Sequence, residues 1–366
     1  MLKQADIIKK HAVDGYLYGR VGEDHFVVIA DEATFNEEHL YECRETLQNV
    51  LSDSVYNVRV CFGIYRTDNM NESLSFMCDK ASFAVASIKD DTHSFIAYYD
   101  DTMLEAAIKY KTIVDEFDDA IKAGEFKMYL QPQISAKTRR LTGAEALVRR
   151  IKPDGTIISP IDFIPVYEKS GLISRLDRYI WEQAAAKLGE WKKAGINMSI
   201  SVNISPKDFY YIDIFNTFAG LIKKYDIEPS NLKIEITETT IMSDVPNLMG
   251  ELEELRKAGF TLEMDDFGSG YSSLNTLKDI NVDVLKVDMG FIKETKNVKK
   301  SRIILASVIK MAKELNLLII TEGVETEEQV DNLTKLGCDV FQGYYFSKAI
   351  DVNEFEKRYL YRKKAG

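Results

Sequence analysis

Apolar and polar positions follow two periods along this chain. From residue 125 onward, apolar runs of strand length recur: FKMYLQP, GAEALV, NMSISVNIS, LKIEITE, FTLEMDD, VDVLKVD, LLIITEG and DVFQGYYF. Between them, YIWEQAAAKLGEWKKAG, DIFNTFAGLIKKYD, VPNLMGELEELRKAG and KKSRIILASVIKMAKELN carry apolar residues every three or four positions, the spacing of amphipathic helices. Eight strand-like runs with helices between them predict a (β/α)8 barrel.

The first hundred residues read differently. GYLYGRVGEDHFVVIAD predicts two short strands around a tight turn, NVRVCFGIYR another strand, and NESLSFMCDKASFAVASIK a helix capped by Asn71. Next, Met103, Ala107, Tyr110, Val114, Phe117 and Ile121 are spaced 4, 3, 4, 3 and 4, one apolar stripe on a helix that Gly124 ends. Such a stripe either packs on a neighbouring domain or serves as a connecting or dimer helix. All seven prolines fall between Pro132 and Pro246. The expected division is therefore a small α/β domain over 1–100, a connecting helix over 101–124 and the barrel over 125–366.

Composition narrows the chemistry. The formal net charge is −11 over 366 residues, so bulk attraction to a long nucleic-acid backbone is not expected. No run approaches the ~18 apolar residues of a membrane span, and MLKQADIIKKHAVDGY carries charges where a signal peptide needs an apolar core; a cytoplasmic protein is expected. The four cysteines form no CxxC pair, and all four histidines lie in the first hundred residues. Chemistry in the barrel must then use carboxylates, amides and lysine, with or without a hard metal ion, not a Ser-His-Asp triad or a histidine-zinc site.

The polar residues at or near strand ends carry the sharper signal. They are Glu145, Asn203, Glu235, Asp265, Asp266, Lys286, Glu322 and Gln342. A barrel gathers the C-terminal ends of its strands on one face. Any one of these residues could cap a helix or face water; their convergence is what suggests a site. Two unit charges ~4 Å apart repel by ~4 kcal/mol at an effective dielectric of ~20. Five carboxylates and one lysine leave an excess of four negative charges, so the site either takes up protons or binds cations. Two divalent ions would balance it, and oxygen ligands without sulfur or imidazole suit Mg²⁺ or Mn²⁺. A two-metal carboxylate site suits hydrolysis of a phosphodiester.

At these residues the chain resembles the EAL family of cyclic di-GMP phosphodiesterases. The resemblance runs through LQP at 130–132, EALVR at 145–149, SPIDFIPVYEKSGLI at 159–173, SVNIS at 201–205, EITE at 235–238, DDFGSGYSSL at 265–274, LKVD at 285–288, EGVET at 322–326 and QGYYFSK at 342–348. It implies a modified (β/α)8 TIM-type barrel, frequent homodimers, and opening of cyclic di-GMP to linear pGpG with Mg²⁺ or Mn²⁺. Carried over by position, Glu145, Asn203, Glu235 and Asp265 would hold one ion, and Asp265 and Asp266 the second, near Glu322. Glu322 would act as general base, Lys286 would orient or polarise the attacking water, and Gln342 would bond water or substrate. Gln131, Leu147, Arg149, Asp288 and Glu325 would line the nucleotide pocket. The DDFGSGYSSL loop, anchored by Glu238, would couple metal binding to dimer contacts. The chain departs from the family pattern at Arg150, where Trp is usual, at Ser269 in the loop, and at Gln133 and Glu263, where apolar or small residues are usual.

The first unit resembles the second half of a GGDEF diguanylate cyclase domain, through RVGEDHFVVIA at 20–30, CFGIY and CDKASFAVASIK. The cyclase motif reads GEDHF, with Glu23 for its second glycine and His25 for its metal-adjacent acid, and the inhibitory RxxD motif, which would begin at Asp14, is absent. The resemblance implies a truncated, inactive remnant; a sensor that still binds GTP is the functional alternative. For the whole chain, a non-catalytic cyclic di-GMP receptor regulating a partner is the competing expectation, although such receptors typically lack one or more acidic ligands.

Overall fold

The computed structural model describes residues 2–11, 16–22, 25–51, 59–67, 69, 71–89, 91, 93–243, 245, 247–267, 277, 280–289 and 298–361. The chain forms two compact units, Met1–Thr112 and Ile113–Gly366. Residues 268–274 of the DDFGSGYSSL segment, together with Asp14, Glu23 and Asp24, lie outside the described residues. No helix among the described residues is long and apolar enough to cross a membrane.

In the first unit, β1 (Leu17–Arg20) and β2 (Phe26–Ile29) form an antiparallel hairpin, and β3 (Phe62–Ile64) pairs in parallel with β4 (Ile96–Tyr98). The helix Leu74–Ser87 lies close over β3: a Cβ on Gly63 would fall 2.0 Å from the Ala81 carbonyl oxygen, so only glycine allows this approach. The cap of that helix is Ser73, whose Oγ accepts from the Phe76 amide, and not Asn71. Ser73 has the extended backbone a cap requires.

The expected helix after residue 100 is two helices, Asp101–Asp115 and Phe117–Ala123, divided at Glu116. Gly124 ends the second in the left-handed conformation, which glycine adopts without a Cβ penalty.

The second unit is a closed barrel of β5 (Phe126–Ser135), β6 (Leu141–Ile151), β8 (Ile200–Ile204), β9 (Leu232–Thr237), β10 (Leu262–Asp265), β11 (Val284–Asp288), β12 (Leu318–Glu322) and β13 (Val340–Phe341). Short strands β7 (Ile157–Ile158) and β14 (Ile350–Asp351) extend β6 and β5. All eight apolar runs form strands, but the connection pattern departs from a regular (β/α)8 barrel. β5 is antiparallel to both neighbours, β6 and β13, and no helix separates β5 from β6. Residues 136–140 are too few for a crossover and suffice for a hairpin.

Strand alternation then sorts the side chains. Ile200, Val202, Ile234, Ile236, Leu262, Met264, Leu285 and Val287 are buried in the apolar core. The alternate positions are polar, and they face the barrel interior: Lys286 on β11 touches Glu145 on β6, which is not its neighbour in the closed sheet.

Beyond Asn203 the chain enters the short helix Asp208–Tyr211. Asp208 is fully buried and accepts the Ser205 amide at 2.8 Å. Burial lifts its carboxyl to about 6, and burial together with the Asp208 charge pushes Asp177, on the helix Ile173–Lys193, well above the usual range. These folded-state values are raised, so the stability they contribute is complete below about pH 4 and is lost as pH rises through about 6. Asp208→Asn should flatten that fall and recover about 2–3 kcal/mol at pH 7. Urea unfolding of both proteins across pH 4 to 7.5 checks this; an unchanged slope in the variant would contradict it.

Candidate active site

Each barrel strand brings its polar face to the same interior. Glu145 lies within β6, Asn203 near the end of β8, and Glu235 within β9; Asp265, Asp288 and Glu322 are the last residues of β10, β11 and β12. Gln342 follows β13 directly, and Gln131 sits on β5 opposite Glu145 in the antiparallel register. Trp181, buried on the helix Ile173–Lys193, donates its indole N–H to the Asn203 carbonyl at 2.9 Å and so fixes the end of β8 from outside.

Lys286 is the hub. It is fully buried, and its Nζ lies 2.6 Å from Glu322 Oε1, 3.0 Å from Glu235 Oε1, 3.3 Å from Asp265 Oδ1 and 3.4 Å from Glu145 Oε2. Burial alone would lower its pKa; the surrounding carboxylates outweigh burial and hold the ammonium well above its ordinary value. Glu145 is tied further: its Oε1 accepts from Asn203 Nδ2 at 3.4 Å, and its Oε2 accepts from Gln342 Nε2. Gln342 Nε2 also donates to Gln131 Oε1 at 3.3 Å, and Gln131 Nε2 donates to the Ser347 carbonyl at 3.3 Å.

The carboxylates respond to this crowding. Burial, reinforced by Glu145, pushes Glu235 well above the usual range, and neither of its buried oxygens accepts a hydrogen bond. Burial lifts Glu322 to about 8; Lys286 opposes the shift, and Asp265 and Glu145 add to it. Its Oε1 lies within ion-pair distance of Lys286 yet accepts no hydrogen bond.

The other expected residues lie around this cluster. Asp266 follows Asp265 with φ +55°, is exposed, and donates its amide to Asp265 Oδ1 at 2.9 Å. Asp288 is in register with Glu322 on the neighbouring strand. Leu147 and Arg149 continue the Glu145 face of β6; the Arg149 guanidinium donates to the Val148 carbonyl at 2.7 Å and lies 5.9 Å from the Tyr129 ring. Glu238 is buried at the start of the short helix Glu238–Ile241, directly after β9, and Glu325 lies in the loop after β12, where its amide donates to Gln329.

The expected ion-binding carboxylates Glu145, Glu235 and Asp265 converge on Lys286 Nζ. Among the described residues, no three of His, Cys, Asp and Glu surround one metal position. Lys286 Nζ instead takes up the carboxylate oxygens as their counter-charge. The donor chemistry nevertheless fits a hard divalent cation: the acidic side chains offer only oxygen, the Asn203 and Gln342 amides lie beside Glu145, and both Glu235 oxygens are free of hydrogen bonds.

Four further strand residues, Gln133, Ser201, Lys233 and Glu263, extend the cluster beyond the expected set. Gln133 is buried and donates to Ser201 Oγ at 3.5 Å and Gln342 Oε1 at 3.4 Å. Glu263 is fully buried, paired with Lys233 at 2.9 Å and in register with Glu235. A period of two would have found them, because Gln133, Ser201, Lys233 and Glu263 each stand two residues from an expected site residue on the same strand.

The chain is similar to several known proteins. Over 350 residues the chain is 31% identical to the signaling protein YkoW of Bacillus subtilis, covering 94% of this chain and 44% of YkoW. It is 29% identical over 342 residues to MucR of Pseudomonas aeruginosa, described as a bifunctional diguanylate cyclase/cyclic di-GMP phosphodiesterase, covering 92% of this chain and 50% of MucR. The chain thus spans about half the length of the curated relatives it matches. Among solved structures, the PaMucR phosphodiesterase in complex with c-di-GMP superposes with a TM-score of 0.63 at 32% identity, covering 67% of this chain and 99% of that one. The EAL domain family matches residues 114–349, which include the whole cluster around Lys286, and the chain belongs to that family.

Proposed function

We propose that this protein hydrolyses one phosphodiester bond of cyclic di-GMP to give linear pGpG, using two divalent ions, Mg²⁺ or Mn²⁺. The observation that carries the reading is the ring of four carboxylates on one buried lysine inside an EAL-family barrel. The naming of MucR as a cyclic di-GMP phosphodiesterase and the c-di-GMP complex of its relative support the choice of substrate.

Glu145, Asn203, Glu235, Asp265 and Asp266 would hold the ions, which when bound supply Lewis acidity at the phosphate and the attacking water. This chain's own residues do the rest. Glu322, which burial lifts to about 8, would take the proton from the attacking water in its ionised form, so activity should climb as pH rises toward 8. Lys286 keeps the carboxylates together against their repulsion and orients that water. Gln342 holds Glu145 through its amide and offers a further contact to water or substrate. Arg149 matches a phosphate or guanine edge with its planar fork. Gln131, Leu147, Asp288 and Glu325 complete the nucleotide pocket, and Glu238 anchors the loop that begins at Asp265.

In this reading residues 125–366 are the phosphodiesterase domain, 101–124 the connecting segment, and 1–100 a degenerate GGDEF-like remnant without cyclase activity. The protein acts in the cytoplasm as a homodimer. The test is to incubate the full chain with cyclic di-GMP and Mg²⁺ or Mn²⁺ and to separate the nucleotides by chromatography. Appearance of pGpG is expected; none at micromolar protein with either metal would overturn the proposal.

A further inference from the structure

The structure gives the Arg150 guanidinium a specific task. The side chain is almost fully buried, with Nε 2.9 Å from Glu125 Oε2 and Nη2 2.7 Å from Glu116 Oε2. The guanidinium lies 5.7 Å from the Phe126 ring, and Lys152 approaches the other oxygen of Glu116 at 3.6 Å. Three segments therefore meet on one side chain: the joint between the helices Asp101–Asp115 and Phe117–Ala123, the residue that precedes β5, and the end of β6. The Ile151 amide adds a bond to the Glu125 carbonyl at 2.8 Å.

The end of β6 needs such a fastening. Among the described residues β6 pairs with β8 only at Ala144 and Glu145, so Leu147–Ile151 overhangs the parallel sheet. That overhang is held by β5 and, at its tip, by the two-residue β7. Arg149 lies on it, one residue from Arg150 and on the opposite face. A guanidinium fork binds two carboxylates in one geometry, which a lysine cannot reproduce.

We infer that Arg150 is a positioning residue: by clamping Glu116 and Glu125 it sets where the overhanging end of β6 holds Arg149 over the mouth of the site. The inference rests on the proposed reading of that site as one for cyclic di-GMP. It also makes the helix joint at Glu116 part of the substrate-binding apparatus, although the ion pairs of Glu116 go to Arg150 and Lys152.

The test uses Glu116→Gln and Arg150→Lys in the full chain. Glu116→Gln removes the charge at constant shape, and Arg150→Lys keeps the charge and loses the fork. Steady-state kinetics and calorimetric binding of cyclic di-GMP are measured beside thermal unfolding. Misplacement of Arg149 should raise KM and Kd by about tenfold in both variants, with kcat within about twofold of the parent. Glu116→Asp, which keeps the charge, should recover most of the affinity. A parent that binds cyclic di-GMP, with variants whose KM and Kd are unchanged whether or not they melt earlier, would overturn the inference alone. A parent that neither binds nor cleaves cyclic di-GMP would overturn the reading of the site and the inference with it.

Discussion

Glu322→Gln should lower the turnover of cyclic di-GMP by about 10²-fold or more, because in the proposed mechanism it removes the general base at nearly constant shape. Glu322 ends β12 with one oxygen 2.6 Å from Lys286, which holds it in place, and its carboxyl is lifted to about 8, so its ionised, proton-accepting form grows as pH rises toward 8. Glutamine preserves the volume and can still face Lys286, but it cannot take the proton. The loss should therefore fall on kcat, with KM changed far less. Glu145→Ala is the companion variant. Glu145 accepts from Lys286, Asn203 and Gln342 at once, and its truncation leaves three donors without their common acceptor. A similar or larger loss is expected there, with KM also affected because the surroundings must rearrange. Chromatographic rates for both variants beside the parent check the assignment. Unchanged turnover in the two would remove both residues from the chemistry.

The second large effect is on stability. Lys286→Met should destabilise the protein by about 3–5 kcal/mol without divalent ions, the range for breaking a buried ion cluster by removing one partner. Methionine fits the volume and satisfies the packing, but Glu145, Glu235, Asp265 and Glu322 would then face one another without their counter-charge. The deficit should depend on pH in a defined direction. Glu235 and Glu322 have raised folded-state values, so protonated forms favour the fold below the usual carboxylate range, and this contribution is lost as pH rises, through about 8 for Glu322. The variant should therefore approach the parent at pH 5 and fall furthest behind it at pH 8. Urea unfolding at the two pH values, in chelator and again with Mn²⁺, measures this. Equal unfolding midpoints at pH 8 in chelator would refute the role of Lys286 as the charge that holds the ring together.

Much of this architecture was legible in the residues, for reasons that can be named. The eight apolar runs form strands because each is bounded by turn or helix signals and rich in Ile, Val and Leu on alternate positions. The acidic residues were found because strand-end polar residues of a barrel share one rim. The hairpin of β5 and β6 was missed although its signal was present: QISAKTRRLT, between the first two runs, is too short for a crossover helix. The helix cap moved from Asn71 to Ser73 because both residue types cap well and only the backbone angle distinguishes them. Gln133 and Glu263 were legible only as departures from the family pattern, and Lys233 not at all, because which way a polar strand residue faces is decided when the barrel closes.

Two kinds of information thus separate cleanly. Local periodicity and residue chemistry determined that this chain would build a barrel, that its working groups would be oxygens and one lysine, and that Gly124 would end a helix, because each depends on neighbours close in sequence. Only the closed tertiary structure decided that Lys286 would meet four carboxylates from four other strands, and that Arg150 would bind the helix joint at Glu116 to the end of β6. Those contacts join residues tens to more than a hundred positions apart, and their distances follow from strand order, register and closure, which no local pattern encodes.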